Sequence, residues 1–406
     1  MKYIKCNILN PVSEKKCEYL KDVIITIDNN IIKDIVSSQE FNSTKIEIID
    51  KSDKVIIPGL IDTHVHLSQW RIRGRYKSDL LDWLNTYTFP EEEKLNNPDY
   101  AQNVAQDFFK NLIQVGTTTA SIYVTSSQKA TNIAFEEADK ISIRALIGKV
   151  CMDQNTPPGL IENTDKSFNE SVELCQQWDK KGLLNYVFTP RFAPVCSSNL
   201  MSKIGNYAQE NDKYIQTHLS ENHNEIALVK KLFPEAKSYT DVYYRANLLG
   251  PKTIMAHVIH LDDKELELMK NSNTKIAHCP DSNFFLKSGR FPYKKLIDNN
   301  LTLGLGSDVA GGTSLDMFYQ MRMANYMQLD YSIEVEELFY LATLGNAKVL
   351  SKDDIIGNIE IGKEADLLVL NINPQQTIQE LLSELIFVRG KDAVEEVYIS
   401  GKKVTI

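Results

Sequence analysis

From Val55 to about residue 350 the sequence repeats one alternation, a short apolar run followed by a stretch with helical periodicity. After the opening run that ends at His66, the apolar runs are Thr117 to Tyr123, Ile143 to Met152, Asn185 to Phe192, Tyr214 to Leu219, Thr253 to Ile259, Thr274 to Cys279 and Leu301 to Gly306. Continuously apolar strands are buried on both faces, and helices between them make the sheet parallel. Eight such strands in this span predict an α/β fold, a closed (β/α)₈ barrel. An open doubly wound sheet is the alternative, and it would not need eight. Helix signals agree with the alternation. Asn97-Pro98 opens one helix that stops at Gly116, Asp262 and Glu265 have capping-box spacing, and 333–350 reads as the last helix.

Both ends of the chain read differently. Tyr3 to Asn7, Val23 to Ile27, Ile31 to Val36 and Ile46 to Ile49 are short strands between polar turns; Asp366 to Leu370 and Val394 to Ile406 match them at the other end. Neither group can bury an apolar face alone. They are expected to pair into a small β-sandwich domain of residues 1–57 and 363–406, with the barrel of 58–362 inserted between them. Residues 71–96 exceed an ordinary strand-to-helix loop and are placed to act as a lid.

A net charge of −9, without a basic run, excludes a nucleic-acid partner. No apolar run approaches the roughly 18 residues that span a bilayer, so no membrane partner is expected. The six cysteines are scattered without a Cys-x-x-Cys pair and read as reduced thiols, which points to the cytoplasm. A homodimer is the assembly considered, although no interface patch stands out.

The chemistry sits in the histidines. His64 and His66 share one face of a strand, a spacing that suits a cation and equally suits two core histidines. The strand ends decide between these readings. In a barrel the active site lies at the carboxyl ends of the strands, where this chain places His64, His66, Gln69, Arg191, Phe192, His218, Glu221, His257, His278 and Asp308. Core filler would not be confined to one rim. His64, His66, His218 and Asp308 suit one divalent cation, zinc or ferrous iron, with a position left for water. Such a metal lowers the pKa of its water to about 7, which makes hydrolysis the expected chemistry. Glu221 lies three residues after His218 and is expected to be the general acid and base. His278 is expected to order a loop or support the ligands, His223 and His260 to lie on the surface, and Cys279 to be an inert buried thiol.

Pro58 to His66, the histidines of strands five and six, Gly306-Ser307-Asp308 and Gly357 to Asp366 together resemble the metal-dependent amidohydrolase superfamily. Within it, His66 to Gln69, Trp83 to Glu91, Gly148 to Asp153, Thr189 to Phe192, His218 to Asn222 and Asp308 to Gly312 resemble the guanine deaminases. That resemblance implies hydrolytic removal of the 2-amino group of guanine, giving xanthine and ammonia. It also implies that His257 hydrogen-bonds the attacking water, that Asp308 takes its proton, and that Gln69, Arg191 and Phe192 hold the purine beside His218. Two departures, Ser307 where the family often has Thr and the run Ala193-Pro194-Val195, remove none of these groups. Strand four offers no lysine to bridge two metals, and Lys149 on strand three is the nearest rival. The alternatives are a sister aminohydrolase acting on 8-oxoguanine, a triazine or another amino-heterocycle, and a metal-free binding protein on the same barrel.

Overall fold

The computed structural model describes residues 1–41 and 47–404 of the 406. Four strands open the chain, β1 (Lys2–Ser13), β2 (Lys16–Asp28), β3 (Ile31–Ser37) and β4 (Ile49–Pro58). The barrel strands follow as β5 (Leu60–His66), β6 (Thr117–Tyr123), β7 (Arg144–Gly148), β8 (Val150–Cys151), β9 (Leu184–Pro190), β10 (Tyr214–Leu219), β11 (Thr253–His257), β12 (Lys275–His278) and β13 (Leu303–Leu305). Three strands close the chain, β14 (Leu367–Leu370), β15 (Val394–Ile399) and β16 (Lys402–Lys403). Of the expected terminal strands, Ile46 and residues 405–406 lie outside the described residues.

The barrel strands pair in parallel in the order β13-β12-β11-β10-β9-β7-β6-β5, with the two-residue β8 also pairing with β9. Every residue of β5, β6, β9 and β11 is buried, as a sheet covered on both faces requires. The third apolar run is split at Lys149 into β7 and β8.

The first and last barrel strands are not joined by a regular ladder. Their seam is closed by Asp308 N donating to His64 O (2.8 Å) and His66 N donating to Val309 O (3.0 Å). The buried amide of Asn346 completes it, donating to Ile61 O and Leu305 O and accepting from Leu305 N. Gly306 allows the close approach, since a Cβ there would lie 2.8 Å from that of His64.

Helices cover the barrel as the sequence signals indicate. Asn97 caps the helix Pro98–Gln114, whose buried stripe includes Val104, Phe108 and Leu112, and the capping box of Asp262 and Glu265 is formed. The last helix is in two pieces, Val335–Leu341 and Leu344–Val349. Between them Ala342 turns its carbonyl to Ile61 N (3.0 Å), a bond to the barrel that an unbroken helix would have used internally. Residues 80–96 form a run of helical turns, α, then π, then α, then 3₁₀. The π turn Leu84–Thr88 precedes Pro90, whose ring and missing N–H cannot be fitted into a regular α-helix interior.

The terminal strands form one seven-stranded sheet, ordered β16-β15-β14-β4-β1-β2-β3. Its hydrogen bonds run continuously from one chain end to the other, because β4 pairs with β1 on one side and with β14 on the other. One face carries its own apolar cluster, including Ile8, Ile25, Ile56 and Leu367. Val55, Ile57 and Leu368 on the other face belong to the barrel core. Buried Arg144 at the start of β7 pairs with Glu364 and Asp366, fastening the returning chain to the barrel.

Candidate active site

The strand ends converge on a cleft lined by His66, Gln69, Arg191, Phe192, His218, Glu221, His257 and Asp308, with apolar walls from Leu80, Trp83, Leu84 and Leu286. Three of those apolar residues come from the helical run after residue 79. The backbone that presents the polar groups is unusual. Ser220, His257, Val258 and Asp308 all have φ between 46° and 70°. Non-glycine residues pay about 1–3 kcal/mol each for such conformations. Each case lies where a barrel strand ends and the chain turns into its loop.

His64 Nε2 lies 3.1 Å from Asp308 Oδ1, His66 Nε2 lies 3.3 Å from the same oxygen, and His66 Nε2 is 3.2 Å from His218 Nε2. Ligand atoms of His64, His218, His257 and Asp308 all fall within 4.8 Å of one another. Four ligands placed about 2.0–2.1 Å from a tetrahedral ion would stand roughly 3.4 Å apart, a spacing that the 3.1–3.3 Å contacts linking His64, His66, His218 and Asp308 match. The hydrogen bonding agrees. His218 Nδ1 donates to Arg191 O at 2.7 Å, which leaves a lone pair on the Nε2 that faces the cluster. Burial lowers the pKa of His64, lowers that of His66 to about 3, and, with the help of neighbouring imidazoles, holds that of His218 well below its usual value. Neutral imidazoles are the ligand form. Burial pushes the Asp308 carboxyl up, but its contacts with His64 and His66 outweigh this and hold it well below the usual range.

His257 stands at the edge of this cluster. Its Nδ1 donates to Asn283 Oδ1 at 2.9 Å, and its Nε2 lies 3.4 Å from Glu221 Oε2 and 3.7 Å from Asp308 Oδ2. Glu221 is buried, and Ser288 Oγ donates to its Oε1 at 2.8 Å. Burial, with the charge of Asp308, raises the Glu221 pKa to about 8. A carboxyl that holds its proton at neutral pH, beside a cluster suited to a metal, is a proton donor waiting for an acceptor.

Gln69 and Arg191 reach the cleft from the turn after β5 and from the exit of β9. Behind them, outside the cleft lining, stands Glu92. It accepts from Arg191 Nη1 at 2.6 Å and from Gln69 Nε2 at 3.3 Å. The Phe192 ring centroid is 6.3 Å from that of His218.

Other expectations resolve individually. Lys149 is fully buried but paired with Glu162 and Glu170, so it is not free to bridge metals. His278 does not order a loop through hydrogen bonds. Neither ring nitrogen has a partner among the described residues, and the ring stacks 3.8 Å from that of Phe291. His223 is exposed, whereas His260 is partly buried and hydrogen-bonds Ser288 O, the residue that holds Glu221. Cys279 is buried, which raises its thiol pKa well above the usual value.

Sequence reasoning missed Glu92, Asn283, Ser288 and Tyr123. The Tyr123 ring packs 4.6–5.0 Å from the rings of His64, His66 and His218. Its position as the last residue of β6 was the available signal, but an aromatic residue on a buried strand reads as core.

Comparison with known proteins places this geometry. The Amidohydrolase family matches residues 55–404. Guanine deaminase of Escherichia coli (strain K12) is 40% identical over 374 residues, 88% of this chain and 85% of that protein. Guanine deaminase of Dictyostelium discoideum is 34% identical across 100% of this chain and 98% of its own. The crystal structure of guanine deaminase from C. acetobutylicum with bound guanine in the active site superposes with a TM-score of 0.95 at 33% identity, covering 100% of both chains. With that match running through the barrel, the strand-end cluster and the returning sheet, the chain belongs to the amidohydrolase family.

Proposed function

We propose that this protein is a guanine deaminase that converts guanine and water into xanthine and ammonia. The observation that carries the reading is one cleft in which Gln69, Arg191 and Phe192 face a buried histidine–aspartate cluster across Glu221. It is supported by guanine deaminase relatives at 34–40% identity and by the guanine-bound structural relative.

In this reading His64, His66, His218 and Asp308 hold one divalent cation, zinc by its preference for three imidazoles and a carboxylate, with ferrous iron as the second choice. When bound, the cation supplies Lewis acidity that lowers the pKa of a water to about 7. The protein's own groups do the rest. Asp308 accepts one proton from the attacking water, and Nε2 of His257 accepts a hydrogen bond from the O–H that remains. Glu221 gives its proton to ring nitrogen 3 as oxygen bonds to carbon 2. Left as a carboxylate, it takes up the remaining proton of the oxygen now on carbon 2 and passes it to the 2-amino group, which leaves as ammonia, and the proton held by Asp308 returns to Glu221. Arg191 and Gln69 read the oxygen 6 and nitrogen 1 edge, which adenine presents with donor and acceptor exchanged, and such a mismatch discriminates by about 10⁴ to 10⁵. Phe192 provides an apolar face for the ring. The six cysteines are all buried and unpaired, which suits a reducing compartment such as the cytoplasm.

Metal analysis of the purified protein, with ammonia release measured on guanine, 8-oxoguanine, adenine and an amino-triazine, tests this. Bound zinc or iron and the highest kcat/KM on guanine are expected. A better substrate among the others would overturn the specificity, and metal-replete protein releasing no ammonia would overturn the reaction.

A further inference from the structure

Glu92, the middle residue of the run Glu91-Glu92-Glu93, is 0% exposed. A carboxylate is not buried without partners. Its two oxygens are divided between two residues of the cleft, Oε2 accepting from Arg191 Nη1 and Oε1 from Gln69 Nε2. The three residues come from three separate segments, the exit of β9, the helical run of 80–96 and the turn after β5.

A carboxylate bonded in this way only accepts, and that decides how Gln69 stands. Its NH₂ group must face Glu92, and its Oε1 accepts from Ala310 N at 3.3 Å, two residues after Asp308. The flipped amide would set Oε1 against a carboxylate and NH₂ against a backbone N–H, two repulsive contacts in place of two bonds. One lone pair on Oε1 and one hydrogen on Nε2 are left for a ligand. Arg191 is held likewise, with its guanidinium 5.3 Å from the Phe89 ring and one N–H committed to Glu92. Its charge is balanced there, which suits a neutral ligand edge over an anion.

We propose that Glu92 is a positioning residue that sets purine specificity. It locks the Gln69 amide and aims the Arg191 guanidinium, so that both are preorganised for the acceptor and donor of a 6-oxopurine edge. Glu92 itself does not line the cleft. This inference rests on the purine reading of the pocket.

The test uses metal-replete Glu92→Gln and Glu92→Asp proteins. Binding is measured for hypoxanthine, which has the 6-oxygen but no 2-amino group to lose, and for unsubstituted purine, which lacks the 6-oxygen. Glu92→Gln is expected to weaken hypoxanthine by about 10- to 100-fold through misaligned donors, while purine binding and metal content stay within about twofold of the parent. On guanine the loss should fall mainly on KM. Glu92→Asp, which keeps the charge but retracts it by one methylene, should show the same selectivity at smaller size, and it serves alone if the glutamine variant does not fold. Equal losses on both ligands, or none on hypoxanthine, overturn the proposal. Parent protein that turns over no guanine but shows the selective loss would remove the proposed reaction and keep the role of Glu92. Parent activity on guanine with unchanged hypoxanthine binding in both variants would do the reverse.

Discussion

Glu221 is the residue on which the proposed chemistry depends most, because it offers a proton beside the cluster. Glu221→Gln keeps the shape and can still accept from Ser288 Oγ, but it cannot shuttle protons. Its kcat on guanine should fall by about 10²- to 10⁴-fold, with KM and metal content close to the parent. Steady-state kinetics check this, and near-parent turnover would remove Glu221 from the role. At this scale, legibility followed local geometry. His64 and His66 could be paired from sequence because a strand has a period of two. Glu92, Ser288 and Asn283 could not, because each acts on a partner 23 to 99 residues away. Nothing in the run of three glutamates distinguishes Glu92, which holds Gln69 and Arg191, from its neighbours.

Among the elements, the seam between β5 and β13 is the point where the barrel depends on a side chain. Asn346 serves three backbone groups there, and both carbonyls belong to strands that enter the site. Leaving buried backbone groups unpaired costs about 1–3 kcal/mol each. Leu305 O keeps its bond from Thr63 Oγ1, so Asn346→Ala should destabilise the protein by about 2 kcal/mol or more in denaturant unfolding. Asn346→Asp can accept from Leu305 N but donate to neither carbonyl, and it should lose most of the same stability. A loss under about 0.5 kcal/mol in both variants, the level of an ordinary surface substitution, would mean that the seam is held elsewhere. The eight-strand alternation was visible in the sequence because buried parallel strands are continuously apolar. The break at Ala342-Thr343 was not, since its cause is the bond from Ile61, a residue far away in the chain. The helical turns of 80–96 were also hidden, because Pro90 inside them argues locally against a helix.

For the whole molecule, the proposed metal ligands tie together the first, fifth and eighth strands of the barrel path, so metal binding should be part of its stability. A ligand that binds only the folded state at about 1,000 times its Kd adds roughly 4 kcal/mol. Chelation should therefore lower the Tm by several degrees, and added zinc should restore it. Glu221→Gln should keep this shift, and His64→Asn should lose it. An unchanged Tm after metal removal, verified by metal analysis, would contradict the ligand set. The sequence by itself determined the barrel, the sheet made from both chain ends and the rim on which the polar groups lie. These follow from apolar periodicity and strand direction, which are local properties repeated many times. Only the tertiary structure decided which glutamate is buried behind Gln69 and Arg191, which ring nitrogen of His218 and of His257 is hydrogen-bonded, and how the barrel closes. Those depend on single hydrogen bonds between distant segments, and a single bond leaves no periodic trace in a chain.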